Sequence, residues 1–148
     1  MYQNILLAVD FSKASTCVAQ RAMQLAPEGS QLTVLHVAEY LPMLDYSGDP
    51  MAMTPLAIDE DLLMEDAKQS LQRFVDKHLQ GVEVVQQVKM GIPKLDILQT
   101  VEKQNIDLLV IGSHGRHGLA RLLGSTAAAV INDCPCDILA VRINPDNS

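Results

Sequence analysis

Short apolar runs alternate with amphipathic helical patterns along the chain, and that alternation leaves few folds open. The runs are Asn4 to Val9, Gln31 to Ala38, Leu108 to Ile111 and Asp137 to Ile143, and Val82 to Val88 adds a third strand, in sequence order, by alternation. Between them apolar residues return at helical spacing. Val18, Ala22 and Leu25 do so after the first run; Leu62, Leu63, Ala67, Leu71, Phe74 and Val75 do so within Leu56 to Leu79. Lys94 to Lys103 and the stretch ending at Asn132 supply the other two helices. Runs this apolar suit strands buried on both faces, as in a parallel sheet. The expected fold is therefore α/β: a doubly wound five-stranded parallel sheet with right-handed crossovers and helices on both faces. The 148 residues fit one domain, 1–148, with no internal repeat.

Local punctuation agrees with this pattern. Pro27-Glu28-Gly29-Ser30 and Gln80-Gly81 stop helices. Asp59, Glu60 and Asp61 suit a helix start, and Pro93 suits a first helical position. Ser12 or Ser15 can cap the first helix. Tyr40 to Pro55, with three prolines and three methionines, reads as a long loop, and the polar tail from Asn144 to Ser148 as a frayed end.

The stretch from Leu108 to Ala127 carries the chemistry. A strand ends at Gly112; Gly115, Gly118 and Gly124 follow; then come Ser125, Thr126 and an Ala-rich helix, Ala127 to Ile131. Glycines let backbone amides approach an anion without a Cβ in the way. The first helical turn adds unsatisfied N–H donors and a positive dipole end. Ser125 and Thr126 can cap that helix or donate to a phosphate oxygen. No Lys follows Gly124-Ser125, which disfavours a P-loop NTPase. Neither a water-positioning residue nor an arginine finger is evident, so rapid phosphoryl transfer lacks its parts. In doubly wound sheets ligands bind beyond the carboxyl ends of the strands, where strand order reverses. Asp10 closes the first strand. If that strand neighbours the fourth, Asp10 and the glycine loop face one crevice. Asp10 is then a metal ligand, a phosphoacceptor, or simply a cap on the first helix.

Charge narrows the partners. The net charge is −7, aromatics are 3% and Trp is absent. A general nucleic-acid or anionic-membrane surface is disfavoured, and base-stacking platforms are lacking. An anion must be held locally, and Arg116 and Arg121 bring positive charge to the glycine loop. No stretch approaches the about 20 apolar residues of a membrane span, and Met1 to Asp10 lacks a basic leader, so the expectation is a cytoplasmic protein. Cys17 lies in a helical pattern; Cys134-Pro135-Cys136 reads as small buried residues at a helix-to-strand turn rather than a metal or redox motif. His36 reads as a hydrogen-bonded core residue, and His114 and His117 as phosphate contacts or exposed side chains.

Five ordered motifs then bring in a family. Ala8 to Ser12 (A-V-D-F-S), Leu35 to Val37 (L-H-V), Gly91 to Pro93 (G-x-P), Asp107 to Arg116 (D-L-L-V-I-G-S-H-G-R) and Gly124 to Ala127 (G-S-T-A) together resemble the universal stress protein family, over nearly the whole chain. The resemblance implies a flavodoxin-like, adenine nucleotide alpha hydrolase-like fold with strand order 3-2-1-4-5. It also implies a homodimer through the last strand, Asp137 to Ile143, and a role in stress response. That strand is too apolar for a bare sheet edge. The branch of the family that binds ATP or AMP resembles G-x-x-G, nine residues, then G-S/T. Gly112, Gly115, Gly124 and Ser125 match, with eight residues rather than nine before Gly124.

Carried onto this sequence, the resemblance places Asp10 near the ribose or a Mg²⁺ on the phosphates. It places the Val37 backbone at the adenine edge, with Ala8 and Val9 lining the same pocket. Gly91 leaves room near the ribose, and Ile111 packs under the nucleoside. The amides of Gly112, His114, Gly115 and Ser125 hold phosphate, helped by the hydroxyls of Ser125 and Thr126. Ser12, Ser113, Arg116 and Gly124 complete the expected set. The function implied is that of an adenine-nucleotide-binding sensor or binding module. The alternatives are a dimeric signalling protein without nucleotide and a slow Mg²⁺-dependent ATPase acting through Asp10.

Overall fold

The computed structural model describes residues 1–39, 59–113 and 124–142. Five strands and four helices alternate. In chain order they are β1 (Asn4–Ala8), α1 (Lys13–Leu25), β2 (Gln31–Glu39), α2 (Glu60–His78), β3 (Val84–Gly91), α3 (Pro93–Lys103), β4 (Leu108–Gly112), α4 (Ser125–Asp133) and β5 (Asp137–Val141). The strands form one sheet in the order β3-β2-β1-β4-β5, every pair parallel. This is the expected order, and β1 and β4 are neighbours at its centre.

Period-two alternation divides the core. Ile5 and Leu7 of β1 and Leu108 and Val110 of β4 pack with α1 and α2 through Val18, Ala22, Leu71 and Phe74. Leu6 of β1 and Leu109 and Ile111 of β4 pack on the other face with α3 and α4 through Ile97, Val101, Ala127 and Val130. Both faces of the central strands are thus covered, which is why their sequences run apolar without a polar alternate.

Helix ends follow local chemistry. Asp59 caps α2 by accepting from the Leu62 amide at 3.2 Å, and Pro93 opens α3. Ser12 occupies the N-cap of α1, but its side chain makes no capping bond, and Ser15 lies inside the helix. The Ser15 amide, which a Ser12 hydroxyl would cap, donates to the Ser12 carbonyl at 3.0 Å. β3 begins two residues later than the alternation predicts: Gly81 turns with φ 78°, and the strand pairs on to Gly91 opposite Glu39. Cys134 and Cys136 do stand at the helix-to-strand turn, but half-buried rather than buried, because only part of each side chain reaches the α3–α4 core. The Tyr40 to Pro55 loop, Ile143 and the tail lie outside the described residues. Among the described residues no helix is long and apolar enough to cross a membrane.

Candidate functional site

A cavity of about 510 Å³ opens beyond the carboxyl ends of β1, β2 and β4. Its position follows from topology. The connection from β1 leads to β2 on one side, while β4 enters the sheet on the other, so their C-terminal ends diverge and leave a crevice. The floor is apolar: Ala8, Leu35, Val37, Ile97 and Ile111. One wall carries acceptors, Asp10 and Glu39, with His36 between them in sequence. The opposite wall is Gly112 and the first turn of α4, with Gly124, Ser125, Thr126 and Ala127. The volume lies inside the about 300–1,000 Å³ of small-molecule sites.

The acceptor wall is built by a tight turn. Asp10 Oδ1 accepts from the Ser12 amide at 2.9 Å and from the Ser15 hydroxyl at 3.0 Å, and the Asp10 amide donates to Ser15 Oγ at 3.0 Å. This is an Asx turn leading into α1. Phe11 sits in the left-handed region at φ 61°, a strained position for a bulky residue. Its ring is held by His36, centroid to centroid 4.3 Å, and by Phe74 at 6.0 Å. His36 Nδ1 lies 2.9 Å from the Val9 carbonyl oxygen, which only accepts, so Nδ1 carries the proton. The expectation of a hydrogen-bonded His36 holds, although the ring is half-buried and lines the crevice.

The donor wall depends on how α4 begins. Its ladder starts with Ala128 N–H donating to Gly124 C=O at 2.9 Å, so the amides of Ser125, Thr126 and Ala127 precede the ladder. Gly124 is the N-cap and no side chain caps it, so neither hydroxyl of Ser125 or Thr126 is spent as a cap. Other amides are committed. Ser113 N–H donates to Val141 C=O at 2.8 Å, and Gly124 N–H donates to Ser113 C=O at 2.7 Å. These bonds anchor the start of α4 to the end of β4 and tie β4 to β5.

The expected set is therefore divided. Ala8, Val9, Asp10, Val37, Ile111, Gly112, Gly124, Ser125 and Thr126 line one crevice. Ser12, Gly91 and Ser113 do not. Ser113 is buried and serves the sheet, and Ser12 Oγ is buried behind the turn. Gly91 makes room for a protein group: a Cβ there would collide with the Asp96 carboxylate. His114, Gly115 and Arg116, with His117 and Arg121, lie outside the described residues. Lining residues that sequence reasoning missed include Ala14, Ser15, His36, Glu39, Pro93 and Ile97. Ile97 and Ala14 look like ordinary core positions. Glu39 carried a legible signal, since it stands at a strand's carboxyl end as Asp10 does.

Fold and crevice together define a doubly wound α/β protein with a cavity of small-molecule size at the reversal of strand order. The chain belongs to the universal stress protein family, whose model matches residues 1–142. Universal stress protein A homolog 1 of Coxiella burnetii is 36% identical over 143 residues, covering 95% of this chain and 96% of that protein. The solved structure of the hypothetical protein MJ0577 superposes with a TM-score of 0.79 at 24% identity, covering 97% of this chain and 98% of the other. Two further structures share the fold. A universal stress protein in complex with cAMP has a TM-score of 0.65 at 22% identity, covering 95% and 97% of the two chains. One from Archaeoglobus fulgidus in complex with dAMP has a TM-score of 0.61 at 23% identity, covering 95% and 98%.

Proposed function

We propose that this protein binds an adenine nucleotide, ATP or AMP, in the crevice between β1, β2 and β4, and works as a stress-response sensor or binding module. The observation that carries the reading is the division of the crevice into three chemistries. An apolar floor suits a purine face. Carboxylates on Asp10 and Glu39 suit the donor hydroxyls of a ribose. The first turn of α4, with its leading amides and two hydroxyls, suits a phosphate. Each dipole contact is worth only about 0.3–1 kcal/mol, so several donors must act together. Family relatives bound to cAMP and dAMP support the adenine moiety.

A Mg²⁺ accompanying ATP would use Asp10, the acid that already organises the turn. The site sits at the strand ends, so it takes the nucleotide without disturbing β5. β5 is an edge strand, and Ile138 to Val141 make it the more apolar edge, whereas the opposite edge, β3, carries Gln86, Gln87 and Lys89. Pairing of β5 with a second copy satisfies that edge.

The direct test is chromatography of the acid-soluble fraction released from freshly purified protein. Adenine nucleotide in near-stoichiometric amount, and its loss in a variant with Ser125 and Thr126 both changed to alanine, is the expected outcome. Protein that is nucleotide-free and stays so after incubation with millimolar ATP and AMP would overturn the proposal.

A further inference from the structure

Cys134 follows the last residue of α4 and Cys136 directly precedes β5, with Pro135 between them. Their sulfurs lie 3.5 Å apart, and Cys136 Sγ also lies 3.5 Å from the Asp137 carbonyl oxygen. Both thiols are free and half-buried, and both rest against the apolar cluster on the α3–α4 face of the sheet. The nucleotide-binding reading uses neither.

We propose that Cys134 and Cys136 form a thiol–disulfide site, oxidised by a hydroperoxide to an intramolecular bridge across Pro135 and restored by a dithiol. The sulfurs have to close from 3.5 Å to about 2.05 Å, a movement within the reach of side-chain rotation. Pro135 fixes its own φ, so the two thiols do not have to find each other across a flexible link. The loop closed is minimal, so the bridge gains little from chain entropy and remains easy to reduce.

The electrons balance in two steps. One sulfur attacks the peroxide, the O–O bond breaks, and a sulfenic acid and water form. The second sulfur attacks the sulfenic sulfur, the S–O bond breaks, and hydroxide leaves as water with the second thiol's proton. Two thiols lose two electrons and two protons, and hydrogen peroxide becomes two waters. Burial, and then the hydrogen bond with Cys134, push the Cys136 thiol up to about 12. Cys136 therefore keeps its proton at neutral pH, Cys134 meets the peroxide, and Cys136 resolves the sulfenic acid. The inference stands independently of nucleotide binding.

Trypsin places both cysteines in one peptide, Leu122 to Arg142, and Cys17 in another, Ala14 to Arg21. The test treats the full chain with hydrogen peroxide, blocks remaining thiols with iodoacetamide and weighs both peptides. The expected result is a 122–142 peptide lighter by two hydrogens and unalkylated, a Cys17 peptide fully alkylated, and reversal by dithiothreitol. Cys17→Ser leaves this pattern intact, whereas both single serine variants abolish it: Cys136→Ser adds oxygen to the Cys134 sulfur, and Cys134→Ser leaves Cys136 unoxidised and alkylated. A 122–142 peptide alkylated twice after peroxide, one carrying added oxygens on both sulfurs, or a bridge that includes Cys17 would overturn the proposal.

Discussion

Asp10 Oδ1 receives two donors, the Ser12 amide and the Ser15 hydroxyl, so the residue at the mouth of the crevice is also part of the frame. Asp10→Ala loses both bonds and exposes the strained φ of Phe11 to relaxation. The expected cost is about 1–2 kcal/mol of folding stability, close to that of losing a helix cap, read as a lower urea midpoint at unchanged slope. A midpoint within error of the parent would mean that the turn holds itself. Sequence reasoning left Asp10 between site residue and cap; the geometry puts it two residues before the N-cap, bonded into the turn, and on the lining of the crevice. Gly91 illustrates the opposite case. Its place in a family motif marked it as room for a ribose, whereas the group nearest a Cβ built there is the carboxylate of Asp96, five residues on in the first turn of α3. Residue spacing brings the two positions together but does not tell which way the Asp96 side chain turns.

At the scale of elements, strand and helix identities were legible because the central strands are apolar on both faces, β3 alternates, and each helix carries a stripe. Boundaries were less so: β3 runs on to Gly91 because β2 offers partners as far as Glu39, a property of the pair rather than of either segment. Caps were misread for a related reason. Ser12 stands at the N-cap of α1, but the Ser15 amide donates to its carbonyl and its hydroxyl makes no capping bond, a competition that residue preference does not reveal. The end of α2 makes a pH prediction. His78 packs against Phe74 with ring centroids 4.9 Å apart, and burial, followed by repulsion from Lys77, lowers its pKa below the usual 6.5. Desolvation outweighs the favourable position of a cation in the last helical turn. The folded protein thus holds this proton less tightly than the unfolded chain. The stability contributed by His78 is in place above pH 6.5 and drains as pH falls through the lower folded value. Urea titrations on either side of that range should show the parent losing more stability on acidification than His78→Gln. Equal losses would contradict the assignment.

For the whole molecule, strand order sets both the crevice and the exposed sheet edge. Placing β1 beside β4 brings Asp10 and Gly112 to one crevice, and placing β5 outermost leaves an apolar edge. The order itself was legible only through the family motifs, since the alternation of elements alone is compatible with several orders. Sedimentation equilibrium at micromolar protein should give twice the 16.2 kDa chain mass, and a chain-mass species would show the β5 edge unpaired. The crevice has a sharper test in calorimetric titration of nucleotide-stripped protein with ATP and with AMP. A saturable heat with a micromolar Kd for either nucleotide, weakened at least tenfold when Ser125 and Thr126 are both alanine, is what the account predicts. Absence of saturable heat with both nucleotides at millimolar concentration, from protein shown to be folded, would contradict it.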